Sequence, residues 1–309
     1  MTVQWQGIGD SSATRMEAAA DKLAILVTPQ RHSEAMTETR TYPHGVPCWV
    51  DVVTTDLDEA RRFYSGLFDW TFQDAIPAEA PGSYLIATLG GLDVAALQPA
   101  EAGDQIAWRT YIAVDDADAA ARTVEAAGGT VTLAPVDAGP GGRQAGCLDP
   151  HGAAFRLWQP RNRPGAQAVN VPGTWNFSDL LTADPQAATA FYARLFGWEV
   201  DDAGFATMVR RPGYGDHLEA SVYPDIRAVQ SEVSAPPGFE DAIAWMVSAE
   251  TENWQVSFAV ADRDSSASTA ESLGGTVVVS EDTYWTKTAT VRDPEGAQFV
   301  LSQFTPPGG

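Results

Sequence analysis

Two strand-like stretches each carry one carboxylate in apolar company. Asp51 stands in PCWVDVVTTD and Asp179 in GTWNFSDLLTAD, 128 positions apart. A carboxylate buried among apolar side chains either pairs with a cation or holds its proton more tightly. In the second state it can serve as a general base near neutral pH. Cations stand in two further strand-like runs, Arg109 in RTYIAV and Arg156 in AAFRLWQ. A base beside a cation that stabilises an oxyanion is sufficient to remove a proton next to a carbonyl. Equally, Asp51 could do no more than neutralise Arg109 or Arg156, and the sequence leaves both roles open.

Other chemistries find less support. Of the four histidines, His32 lies in the N-terminal stretch, His44 in a Pro-Gly lead-in, His151 inside a DPHG turn, and His217 in a polar loop beside Asp216 and Glu219. Cys48 and Cys147 are too few for a disulfide framework or a zinc–thiolate site, and their apolar surroundings predict buried free thiols. GPGGR at 139–143 lacks the Gly-Lys-Ser/Thr of a phosphate-binding loop and reads as a hairpin turn, with Arg143 a candidate for the mouth of a site. The net charge of −22 argues against nucleic acid and anionic membrane surfaces. No apolar run is long enough to span a bilayer, and LAILV (24–28) is too short for a secretory core. The expected setting is the cytoplasm, the expected partner a small-molecule ligand, and the expected state a monomer or homodimer, with no cofactor.

The elements that would position these residues come from a repeat. DEARRFYSGLFDW (58–70) returns as QAATAFYARLFGW (186–198). Its apolar residues have helical spacing after an Asp suited to cap the helix, Asp56 in the first copy. Each helix follows one of the Asp-bearing strands and precedes three short strands. A fainter copy of this βαβββ order starts at RTYIAV (109–114), and VDDADAAARTVEAAGGTV (114–131) is echoed at 260–277. The predicted organisation is a flexible extension (1–46), a first domain (47–160), a linker (161–172), a second domain (173–305) and a tail (306–309). The repeat offset grows from 128 to between 144 and 146, which predicts an insertion in the second domain, around 223–254.

The strand, the D-x-x-x-A-x-x-F-Y-x-x-L-F-x-W helix and the closing DPHG and DPEG turns together resemble the vicinal oxygen chelate superfamily of glyoxalases, bleomycin-resistance proteins and dioxygenases. Within it, the chain is similar to two-domain glyoxalase-like proteins of the hydroxylase or 27 kDa antigen type. The resemblance covers about residues 47–305 and implies an α+β fold of two tandem domains, each built of two βαβββ units closing a curved sheet into a cup. In metal-using members the cup holds a divalent ion on ligands from the first and last strands. Carried onto this chain, those positions are Trp49, Arg109, Phe177 and Gln255, then Arg156 and Val300. Only Gln255 could donate, so no metal site is expected. The same positions define an inward face. The first cup is then lined by Trp49, Asp51, Arg109, Tyr111, Arg156 and Trp158, and the second by Phe177, Asp179, Gln255 and Ser257, with Gln298, Val300 and Ser302. The resemblance implies a binder of a small aromatic, carbonyl or anionic molecule, in resistance or detoxification. The alternative is a metal-free lyase, isomerase or cyclase with Asp51, or its counterpart Asp179, as base.

Overall fold

The computed structural model describes residues 39–202, 206–232, 235–283 and 285–305. The first half runs β1 (Pro47–Thr54), α1 (Leu57–Phe68), β2 (Thr71–Asp74), β3 (Leu85–Leu89), β4 (Leu92–Pro99), β5 (Trp108–Ala113), α2 (Ala117–Ala126), β6 (Thr130–Ala138), β7 (Gly142–Leu148) and β8 (Ala154–Pro160). The second half repeats it as β9 (Trp175–Thr182), α3 (Pro185–Phe196), β10 (Glu199–Asp202), β11 (Thr207–Arg210), β12 (Ala242–Ser248), β13 (Asn253–Ala259), α6 (Arg263–Ser272), β14 (Thr276–Asp282), β15 (Thr286–Arg292) and β16 (Gln298–Phe304). Two added helices, α4 (Tyr214–Ala220) and α5 (Ile226–Glu232), lie between β11 and β12. The result is two eight-stranded sheets, ordered β2-β3-β4-β1-β5-β8-β7-β6 and β10-β11-β12-β9-β13-β16-β15-β14. In each, the two βαβββ units meet at an antiparallel pair of first strands, β1 with β5 and β9 with β13.

All four repeat helices start the same way. Asp56, Asp116, Asp184 and Asp262 each accept a backbone N–H from the first turn, satisfying a donor that the helix itself cannot. Two glycines end α2 and two end α6, with a division of labour. Gly128 and Gly274 take left-handed φ values of 93° and 95°. Gly129 and Gly275 make room, since a Cβ there would stand 3.1 Å from the Phe191 ring and 3.0 Å from the Phe63 ring.

Those two rings belong to the opposite domain, which reveals how the halves are joined. The sheets turn their convex faces to each other, and Thr110 Oγ1 of β5 donates to Ser178 Oγ of β9 at 2.8 Å. Helix α1 lays Phe63, Tyr64 and Phe68 against Phe299 of the second sheet, and α3 lays Phe191, Tyr192 and Phe196 against Phe155 of the first. The tyrosines then reach the D-P-x-G turns. Tyr64 donates to Asp293 at 2.9 Å and Tyr192 to Asp149 at 3.2 Å, all four side chains buried. Burial drives both phenol pKa values well up, so these hydroxyls are neutral donors.

Two expectations about organisation change. Residues 1–38 and 306–309 lie outside the described residues, but 39–46, assigned to a flexible extension, pack firmly. Tyr42 and Val46 are buried, Trp198 Nε1 donates to Gly45 O at 2.6 Å, and Arg211 Nε donates to His44 O at 3.0 Å. The extra chain of the second domain occupies 211–241 rather than 223–254, replacing the turn of Gly90 and Gly91 between β3 and β4. Repeat offsets bracket an insertion between two matching segments and cannot place it within them.

Candidate functional site

The concave faces of the two sheets point away from each other. Thr110 faces the interdomain contact, so its neighbours Arg109 and Tyr111 face the first cup. Register sets Asp51 opposite Arg109 and Trp49 opposite Tyr111, with Arg156 next to Tyr111 on β8. The structure thus brings Trp49, Asp51, Arg109, Tyr111, Arg156 and Trp158 onto one face. Arg143 is elsewhere, paired with Asp118 and Asp137.

Asp51 is fully buried and fully engaged. Arg109 Nε donates to its Oδ1 at 2.7 Å and Nη2 to its Oδ2 at 3.0 Å. Oδ2 also accepts from Tyr111 OH at 2.6 Å and Tyr84 OH at 3.0 Å. Tyr84 in turn accepts from Trp49 Nε1 at 2.9 Å, and Gln98 Oε1 takes the other N–H of Arg109 Nη2 at 2.5 Å. Burial pulls the Arg109 pKa down, but Asp51 and the facing phenols more than reverse it, so the guanidinium stays charged. Burial raises the Tyr111 and Tyr84 pKa values, and Asp51 pushes the same way. Asp51 thus has four donors, one on Oδ1 and three on Oδ2. Arg156 differs: it is half-buried, and among the described residues no carboxylate pairs with it.

The second cup keeps the carboxylate and loses its partners. Asp179 lies opposite Gln255, and Phe177 opposite Ser257. Gln255 therefore occupies the place of Arg109, and Ser257 that of Tyr111. In the first sheet Tyr84 precedes by two the residue that leads through Ala96 to Asp51, namely Ile86. In the second sheet Met208 pairs with Trp245, whose N–H reaches Asp179, so the place of Tyr84 falls to Ala206. Arg, Tyr and Tyr have become Gln, Ser and Ala. What remains to Asp179 among the described residues is one N–H, from Trp245 at 3.2 Å. Burial raises its pKa to about 7, against the small opposing pull of that N–H. Phe177, Asp179, Gln255, Gln298 and Val300 all stay partly open to solvent, while Ser257 and Ser302 are buried.

Three residues of these cups escape the sequence reading. Tyr84 immediately precedes β3, Gln98 sits on β4 and Trp245 on β12, whereas the face assignment follows only first and last strands. Trp245 forms one wall of the second cup, with Phe239 of the insertion against it at 6.1 Å. Beside it, at the β10–β11 edge, Met208, Arg210 and Pro236–Gly238 line a cavity of about 430 Å³. His217 and Glu219 do not form a pair: His217 Nε2 meets Thr41 O at 3.0 Å, and Glu219 binds Arg227.

The positions that carry metal in metal-using relatives hold Trp49, Arg109, Arg156, Phe177, Gln255 and Val300. Trp, Phe and Val offer no lone pair and Arg is a cation, so this set does not fit a divalent ion. Among the described residues no three of His, Cys, Asp and Glu come together as a metal would need. Nor is any described helix long and apolar enough to cross a membrane.

Comparison with known proteins agrees with this architecture. Residues 48–157 match the Glyoxalase/Bleomycin resistance protein/Dioxygenase superfamily, and 177–302 match a glyoxalase-like domain. The protein CFP32 of Mycobacterium tuberculosis is 34% identical over 280 residues, covering 88% of this chain and 99% of that protein. The anthracycline biosynthesis protein DnrV of Streptomyces peucetius is 31% identical, covering 85% and 94%. Among solved structures, a Mn(II)-bound glyoxalase from Novosphingobium aromaticivorans superposes with a TM-score of 0.55 at 16% identity, over 86% of this chain and 83% of that one. The 2,3-dioxygenase LapB from Pseudomonas sp. KL28 follows at 0.53 and 13%, over 86% and 96%. At such identities the likeness is one of fold.

Proposed function

The chain belongs to the glyoxalase/bleomycin resistance protein/dioxygenase superfamily, and from that premise we propose that it is a metal-independent small-molecule-binding protein whose working site is the second cup. One observation carries the reading: Asp179 keeps the register position of Asp51 while the three side chains that occupy Asp51 are cut back around it. A partly open carboxylate at the floor of a cup is an acceptor kept for a ligand, because burying it idle costs stability. Phe177 and Trp245 offer flat apolar walls, and Gln255, Ser257 and Gln298 offer neutral hydrogen-bonding groups. That favours an uncharged, planar molecule with hydroxyl and carbonyl groups over an anion. Two relatives are named as anthracycline biosynthesis proteins, and an anthracycline ring system has this chemistry. Asp51 serves the first cup as a structural counter-ion to Arg109.

Quenching of tryptophan fluorescence by a hydroxyanthraquinone tests the reading. Saturable quenching that disappears in Trp245→Phe is expected. Quenching that survives there and disappears in Trp158→Phe would move the site to the first cup. One feature favours that second reading, since half-buried Arg156 beside Trp158 could take an anionic group.

A further inference from the structure

We propose that the second cup is a proton-transfer site, with Asp179 as the base that removes a proton from a carbon next to a carbonyl of the bound molecule. The inference rests on the reading of that cup as the ligand site and adds a reaction to it. Its ground is geometric. Asp179 stands on the concave face and, among the described residues, takes one backbone N–H on one oxygen, so the carboxylate has acceptor capacity turned to the cup. Gln255 is its register partner, and Ser257 stands one place along the same face beside Phe177. An amide N–H and a hydroxyl are therefore on hand for the oxygen on which charge develops. The first cup could not do this, because four donor atoms already occupy its carboxylate.

The step balances without an outside reagent. The Asp179 carboxylate takes the proton, the C–H electron pair becomes the enolate double bond, and the carbonyl π pair moves to oxygen, where Gln255 and Ser257 donate. Protonated Asp179 then returns the proton to the same carbon or to another along the enolate. The second outcome is an isomerisation; if instead the enolate carbon attacks a second carbonyl in the same molecule, the π pair of that carbonyl moves to its oxygen, which takes the proton from Asp179, and the result is a cyclisation. A carboxyl that titrates near 7 suits both directions. The charged side chains that the register places on the same surface, Glu199, Asp201 and Arg210 at the β10–β11 edge, Glu281 on β14 and Arg292 on β15, are not paired with it among the described residues.

The test uses 2-tetralone, a flat ketone with acidic C–H groups, in deuterated buffer. Full-length protein should speed loss of the C1 proton signal in NMR, and Asp179→Asn should lose about 100-fold or more of that acceleration. Quenching of Trp245 by the same ketone reports binding separately. Binding without faster exchange overturns the proton-transfer proposal and leaves the binding reading standing. Equal acceleration by Asp179→Asn overturns the role of Asp179. If neither quenching nor exchange appears, the proposal falls together with the reading beneath it. A melting curve of Asp179→Asn below pH 4 that matches the parent separates lost chemistry from lost folding.

Discussion

Asp51 and Asp179 occupy one position in two copies of the same sheet, yet one is sealed and the other is open. Around Asp51, a guanidinium and two phenols complete a buried ion pair with a short network. Around Asp179 the same three places hold Gln255, Ser257 and Ala206. A buried charge is tolerable only when its surroundings complete it. Three side chains thus decide whether the repeated carboxylate is sealed in or left open. Among the described residues the two cups also end with opposite offers, a guanidinium with no carboxylate partner at Arg156 in the first and a carboxylate with a single N–H donor in the second.

The comparison breaks first at Asp51. Asp51→Ala would strand Arg109 without its counter-ion and should lower unfolding free energy by about 3–5 kcal/mol in denaturant titration. Asp179→Ala should change it by less than about 1 kcal/mol; equal losses would erase the distinction. Next come the tyrosines that cross between domains. Tyr64→Phe leaves a buried oxygen of Asp293 short of its donor and should cost about 1–3 kcal/mol. Tyr192→Phe, with the longer bond, should cost less, and both variants should still unfold in a single transition.

Grafting the first cup onto the second sharpens the contrast. Gln255→Arg with Ser257→Tyr should give Asp179 its missing partners and weaken hydroxyanthraquinone binding by about tenfold or more, roughly 1.4 kcal/mol. Undiminished affinity would place the ligand away from Asp179.

The smallest effect is one of pH. The folded state raises the Asp179 pKa from its ordinary value to about 7, so it prefers the protonated form. The stability tied to that proton is whole below the unfolded pKa, near 4, and is lost as pH rises through about 7. Asp179→Asn should therefore melt about 2–4 °C above the parent at pH 8 and level with it below pH 4. A constant gap across pH would mean that the carboxyl is ordinary.

The sequence already held the double repeat, the Asp caps, the Gly-Gly stops and the inward faces of β1, β5, β8, β9, β13 and β16. These follow from local periodicity, and the repeat checks each copy against the other. Tyr84, Gln98 and Trp245 were out of reach because they lie on or beside middle strands, whose register to β1 and β9 depends on bulges such as that between Ala87 and Thr88. The choice between pairing and catalysis for Asp51 was likewise open, since nothing in the spacing says whether Arg109 or Arg156 meets it. The helical spacing of Phe63, Tyr64, Phe191 and Tyr192 was legible, but not that their rings also reach Phe299 and Phe155 of the opposite domain.

That exchange has a consequence in time. The aromatic face of α1 is completed by Phe299, about 235 residues further along. At the pace of protein synthesis, roughly 5–20 residues per second, it waits on the order of ten to fifty seconds for its cover. Helix α3, by contrast, finds Phe155 already made. The first domain thus leaves the ribosome with its sheet complete and one greasy side unsheltered. The last strand to be made is the one that closes it, so a truncated chain should be sticky until that strand arrives.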